Sequence, residues 1–318
     1  MQYNFCGNSG LKLPALSLGL WHNFSDVDDF SEAEKMICRA FDEGITHFDL
    51  ANNYGPPPGS AETNFGKILF SQLKSRRDEM IISSKAGHLM WPGPYGDGGS
   101  RKYLMASIDQ SLKRVGLDYF DIFYSHRYDP QTPVEETVQA LIDIVRQGKA
   151  LYAGLSKYPE DKAIIACEMM QSQQVPCLIF QDKYSLLYRN TESKFISLRE
   201  KFGLGFIAFS PLAQGLLTDK YLNGIPASSR AGKIHGFLKK EEITPEIVHQ
   251  ITKLNEIAEK RGQSLAEMSL SWLLNKKEVT SVIIGTSSVK QLEQNLKALN
   301  NTDFSSEELR NINFILNY

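Results

Sequence analysis

Short apolar runs alternate with amphipathic stretches along most of the chain. Runs at residues 15–18, 46–49, 80–83, 120–124, 151–154, 178–181, 205–209 and 281–284 predict eight β-strands. Most neighbours begin about 25 to 40 residues apart, the length of one strand–helix unit. Between them the apolar positions take helical spacing. Ser31-Glu32-Ala33-Glu34 opens a helix whose apolar face is Met36, Ile37, Ala40 and Phe41, with Gly44 past its end. Ser107, Ile108, Leu112 and Val115 repeat the pattern ahead of Gly116, and residues 137–146 predict another helix closed by Gly148.

Strand–helix alternation without an antiparallel run implies a parallel sheet, and eight repeats imply its closure into an α/β (β/α)₈ TIM barrel spanning residues 1–318 as one domain. An open doubly wound sheet is the alternative. It carries a G-x-G-x-x-G turn after its first strand, where this chain has Gly19-Leu20-Trp21. The start of the chain reads as a β-hairpin turning at Gly7-Asn8-Ser9-Gly10.

Two stretches break the rhythm. Residues 91–100, rich in Gly and Pro, follow the third strand. Residues 210–280 are too many for one helix and predict a loop (224–244) and extra helices at 246–261 and 265–276. In a barrel both lie on the C-terminal face of the strands, where active sites are built. The last helix, 305–316, opens with the capping box Ser305-Ser306-Glu307-Glu308.

Composition changes this picture little. The 318 residues are 42% hydrophobic and 23% charged, with 35 basic against 37 acidic side chains and a net charge of −2. With no basic stripe and no cationic amphipathic segment, neither nucleic acid nor a membrane surface is an expected partner. Cys6, Cys38, Cys167 and Cys177 form no C-x-x-C pair, which suits a reducing compartment. Met1-Gln2-Tyr3-Asn4-Phe5 does not resemble a secretory leader, and no apolar run approaches the roughly 18 residues of a membrane span. A cytoplasmic protein is the expectation.

The chemistry gathers at strand ends. Phe48-Asp49-Leu50 closes strand two, Ser83-Ser84-Lys85 strand three and Tyr124-Ser125-His126 strand four, while Tyr54 lies just past Asp49. Each alone has an ordinary explanation as a packing or satisfied core residue. Adjacent barrel strands, however, bring the four side by side. A tyrosine with a pKa of about 10 is a poor acid near neutrality. A neighbouring ammonium, Lys85, would lower that value, and Asp49 would keep Lys85 charged and aimed. With His126 donating to a substrate oxygen, the set suits protonating a carbonyl oxygen as hydride reaches carbon.

These residues resemble the aldo-keto reductase superfamily, in which an Asp, Tyr, Lys and His occupy the same strand ends. The similarity runs in order through Gly44-Ile45-Thr46-His47-Phe48-Asp49, Asn53-Tyr54-Gly55, Ile81-Ile82-Ser83-Ser84-Lys85, Asp121-Ile122-Phe123-Tyr124-Ser125-His126, Phe209-Ser210-Pro211-Leu212-Ala213-Gln214-Gly215 and Gly285-Thr286-Ser287-Ser288. Leu20-Trp21-His22-Asn23-Phe24, Ala51-Asn52-Asn53-Tyr54-Gly55-Pro56-Pro57-Pro58-Gly59-Ser60 and Met90-Trp91-Pro92-Gly93-Pro94-Tyr95-Gly96 are similar to its L-glyceraldehyde 3-phosphate reductase branch, itself related to the β subunits of voltage-gated potassium channels.

The resemblance implies reduction of a small aldehyde by NADPH, with Tyr54 as general acid and His126 orienting the carbonyl. It places Gly19, Leu20, Trp21 and Asp49 beside the nicotinamide ribose, Ser156 and Gln181 on the carboxamide, and Phe209 against the ring. Ser210, Leu212, Gln214, Gly215 and Lys220 would surround the pyrophosphate. Ser287, Gln291, Gln294 and Asn295 would hold the adenosine end, with Lys157, Pro211, Arg230 and Gly285 completing the set. Trp21, Tyr54, Trp91, His126 and Arg127 would meet substrate, and Arg127, Arg101 or Lys102 is expected to meet a substrate phosphate. Lys157 departs from the Asn of many members, and Gln291 from the Arg many use against a 2′-phosphate. Two other readings remain: an NADP-binding regulatory subunit with little turnover, and a lyase using Lys85 as a Schiff base. Cofactor motifs weigh against the lyase. Related branches form rings of subunits, so a homo-oligomer is expected by analogy.

Overall fold

The computed structural model describes residues 1–222, 224–226, 231 and 238–318. β1 (Tyr3–Phe5) and β2 (Lys12–Pro14) pair antiparallel, forming the expected hairpin. β3 (Leu16–Gly19), β4 (His47–Asp49), β5 (Ile81–Ala86), β6 (Phe120–Ser125), β7 (Ala150–Ser156), β8 (Ile179–Lys183), β9 (Gly205–Phe209) and β10 (Ser281–Ile284) close into a barrel in chain order. Every neighbouring pair in it is parallel, and β10 returns to β3. The fold is the (β/α)₈ barrel with extra helices near the C-terminus.

The helices are α1 (Phe30–Asp42), α2 (Ser60–Ile68), α3 (Arg101–Val115), α4 (Val134–Arg146), α5 (Glu160–Ser172), α6 (Glu192–Phe202), α7 (Pro245–Lys260), α8 (Leu265–Leu274), α9 (Val289–Leu296) and α10 (Ser306–Ile315). Local chemistry sets their ends. α1 starts before Ser31 because Asp29 is its cap, accepting from the Glu32 N–H. Gly116, in the left-handed conformation at φ 79°, stops α3, and Ser305 with Glu308 forms the capping box of α10. Ser100 caps α3, so the Gly/Pro-rich stretch runs directly into a helix that Arg101 and Lys102 begin on the exposed side.

Strand alternation sorts side chains between two cores. Leu16, Leu18, Phe48 and Ile82 face the helices, where the Phe48 ring lies 5.4 Å from that of Phe65 on α2. Ile122, Tyr124, Ile179, Ile207 and Ile283 fill the barrel itself. Gly154 is required there, since a Cβ on it would come within 2.5 Å of the Tyr124 ring. One side of the interior is polar. His47 Nδ1 lies 2.8 Å from Ser17 Oγ and its Nε2 2.9 Å from Ser83 Oγ, while Ser17 Oγ is 2.6 Å from Ser281 Oγ. This layer supports the strand ends above it.

Candidate active site

The C-terminal strand ends open onto a cavity of about 810 Å³. Asp49, Tyr54 and His126 line it together with Gly19, Trp21, Ser156, Lys157 and Gln181. On its far side lie Phe209, Ser210, Pro211, Leu212, Gln214, Gly215, Lys220, Gly285 and Gln291. Fifteen of the sequence-assigned cofactor positions, Asp49 among them, therefore share one cavity with three of the four catalytic ones. The fourth, Lys85, lies buried beneath it.

Register explains the convergence. Asp49 pairs with Ser83 and Lys85 with Tyr124, so the last residues of β4, β5 and β6 lie at neighbouring heights. Lys85 Nζ donates to Asp49 Oδ2 at 2.5 Å and to the Leu50 carbonyl at 2.6 Å. Asp49 Oδ1 accepts from Ser83 Oγ at 2.8 Å and from Gln181 Nε2 at 3.3 Å. A buried carboxylate holding three donors is fixed in position. Lys85 Nζ stands 5.1 Å from the centre of the Tyr54 ring, whose edge-on neighbour at 6.0 Å is His126.

Burial dominates the electrostatics here. Burial, reinforced by the Asp49 charge, pushes the Tyr54 phenol well above its ordinary range. Burial moves Lys85 itself downward, with its partner Asp49 opposing. Tyr54 therefore holds its proton at neutral pH. His126 is driven well below its usual value by burial and by the nearby Lys85, Lys157, His88 and Arg127, and so is a neutral imidazole. Its Nδ1 is buried with no hydrogen-bond partner among the described residues.

Other assigned residues fall elsewhere. Leu20 is fully buried and Trp91 packs at 5.3 Å on Tyr103; neither lines the cavity. Arg127 stands outside the lining and pairs with Asp97 at 2.9 Å. Arg101 pairs with Asp143, and Lys102 lies over the Tyr95 ring. Ser287 donates its N–H and hydroxyl to Gln291 Oε1, while Gln294 is exposed on α9. Arg230 is outside the described residues.

His88 is the residue sequence reading missed. It lines the cavity, its ring meets that of His126 edge-on at 4.5 Å, and its Nε2 lies 3.0 Å from Lys157 Nζ. Its position three residues past Lys85, on the same strand-end loop, was the available clue.

Two orphaned polar groups test whether the cavity fits a dinucleotide. Ser156 Oγ and Asn295 Nδ2 are buried and find no partner among the described residues, and leaving such groups bare is costly. Both are at positions assigned to cofactor contacts: Ser156 ends β7 on the cavity wall, with Gln181 beside it across the β7–β8 ladder, while Asn295 lies on α9 outside the lining. A hydrogen-bonding group in want of a partner on the wall of a largely apolar cleft, as Ser156 is, fits such a ligand.

The barrel, its strand-end Asp–Lys–Tyr–His group and this cleft define an oxidoreductase architecture. The chain belongs to the aldo/keto reductase family, whose model matches residues 15–317. It is 56% identical over 317 residues, covering 98% of this chain and 91% of the relative, to L-glyceraldehyde 3-phosphate reductase of Escherichia coli strain K12. It is also 36% identical over 305 residues, 94% of this chain and 91% of the relative, to a probable voltage-gated potassium channel subunit beta of Oryza sativa subsp. japonica. The Arabidopsis thaliana counterpart is 34% identical over the same length. The chain is thus an oxidoreductase of a family that uses NAD(P)H. None of its described helices is long and apolar enough to cross a membrane.

Proposed function

We propose that the protein reduces small aldehydes to alcohols with NADPH, L-glyceraldehyde 3-phosphate being the leading substrate and methylglyoxal the alternative. The observation carrying this is the meeting of the Tyr54 phenol and the His126 ring, 6.0 Å apart at the cavity wall, with the Lys85 ammonium 5.1 Å from the Tyr54 ring centre. Bound NADPH supplies the hydride. Ser156, Gln181 and Asn295 would hold its polar groups, and Phe209 and the turn from Ser210 to Gly215 would line its site.

The chain's own residues handle the proton. His126 offers a ring N–H to the carbonyl oxygen, which fixes the aldehyde and favours charge building on that oxygen. Tyr54 then gives its proton to the same oxygen. The developing phenolate is the species that the Lys85 ammonium, 5.1 Å from the ring centre, stabilises most. Asp49 keeps that ammonium in place. Lys85 thus assists the product side of the transfer, while the resting acid stays protonated.

Identity favours the reductase over the channel-subunit reading, 56% against 36%. Purified protein mixed with NADPH and matched L-glyceraldehyde 3-phosphate, glyceraldehyde or methylglyoxal is expected to oxidise the cofactor. Tight NADPH binding with no oxidation by any aldehyde would select the regulatory role.

A further inference from the structure

Lys157 is an unusual cation. It ends β7 in the left-handed backbone region at φ 55°, a conformation a lysine adopts at some cost, and its N–H is tied to the Gln181 carbonyl at 3.1 Å. The turn aims its side chain into the cavity, where Nζ donates to His88 Nε2. No described carboxylate lies within ion-pair distance of it. The other charges nearby are matched: Lys85 by Asp49, Arg127 by Asp97, and Asp182 by Lys194. The largely buried Lys157 ammonium, between the neutral rings' side of the cavity and the paired Lys85 and Arg127, is opposed there only by the Asp182 charge, beyond ion-pair distance.

That corner adjoins the reaction centre. Lys157 touches His88, and His88 touches His126, so a single imidazole ring separates the ammonium from the residue assigned to the carbonyl. Arg127, Arg101 and Lys102, the basic residues first expected to meet a substrate phosphate, are held outside the lining or committed elsewhere.

We infer that Lys157, positioned by His88, is the anion-recognising group of the substrate site, so that the enzyme selects aldehydes carrying a phosphate or carboxylate on the carbon skeleton. This rests on the reductase reading. Lys157 has two N–H groups beyond the one on His88, enough to meet two oxygens of such an anion. His88 is a positioning residue: accepting from Nζ, it holds a flexible four-carbon side chain in one direction.

The test compares kcat/KM for glyceraldehyde 3-phosphate, a carboxylated aldehyde of similar length and neutral glyceraldehyde in wild type, Lys157→Met, Lys157→Arg and His88→Phe. Preference for either anionic aldehyde supports the inference, and which one is preferred identifies the anion. Lys157→Met is expected to reduce the preference at least tenfold and Lys157→Arg to keep most of it. His88→Phe should weaken it and shift its pH dependence, which loss of packing alone would not do. Glycerol 3-phosphate binding to the NADPH complex, by calorimetry, reads the same subsite without turnover, so it stands even if the reductase reading fails. An undiminished preference in Lys157→Met, or equal losses on charged and neutral aldehydes with weakened NADPH binding, would overturn the inference.

Discussion

The Lys85 ammonium lies 2.5 Å from the Asp49 carboxylate, with both side chains at most 3% exposed. Such a pair is weakly stabilising as a whole but strongly destabilising when broken, because the remaining charge is buried without a partner. Asp49→Asn should therefore lower stability by about 3–5 kcal/mol. The double variant Asp49→Asn/Lys85→Met should recover part of that loss while staying inactive. Urea melts of wild type and the two variants check this; a double variant less stable than Asp49→Asn would refute it.

His47 gives an acid-stability prediction. Burial takes it down to about 4 from the ordinary 6.5, with Asp49 opposing and Lys85 assisting, and its ring sits between Ser17 and Ser83. The unfolded chain gains a proton that the native state refuses, so this group's stabilisation is complete above about pH 6.5 and is lost as pH falls toward about 4. The span corresponds to about 3 kcal/mol. Denaturation midpoints for His47→Gln should depend less on pH across that window, and an unchanged slope would exclude the assignment.

The orphaned Ser156 hydroxyl separates stability from binding. Ser156→Ala removes a buried polar atom without a described partner, so the cofactor-free protein should be as stable as wild type or more stable by about 1 kcal/mol. The stabilisation conferred by added NADPH should shrink. Thermal melts with and without cofactor read both effects, and an equal NADPH shift in the two proteins would remove Ser156 from the contact set.

Much of this was legible in the sequence. The period of apolar runs marked all eight barrel strands, since each strand needs its own buried stretch, and the positions of Asp49, Tyr54, Lys85 and His126 followed from where those runs stop. Less visible were effects created by folding. The polar layer joining Ser281, Ser17, His47 and Ser83 depends on cross-strand register. Burial beside the Asp49 charge, which exists only once the strands close, is why Tyr54 moves upward. Sequence order also hides the ion-pair partners of Arg127 and Arg101, Asp97 and Asp143. The residue beside His126, His88, comes from a loop that no periodicity describes.

Anion preference should carry its own pH signature. Burial first, then Lys85 and Arg127, bring Lys157 down to about 8, with Asp182 opposing, while His88 at about 4 stays neutral. The cationic form binds the anion, so preference for charged over neutral aldehydes should decline as pH rises through about 8. A ratio of kcat/KM values that stays flat through that range would contradict it.

The most direct test of the account is the Tyr54→Phe variant, assayed beside wild type for NADPH oxidation with L-glyceraldehyde 3-phosphate and for NADPH binding by fluorescence. Removing the proton donor should lower kcat by about 10²–10⁴-fold while the cofactor still binds. A variant that reduces the aldehyde at the wild-type rate would contradict the assignment of Tyr54 as the acid.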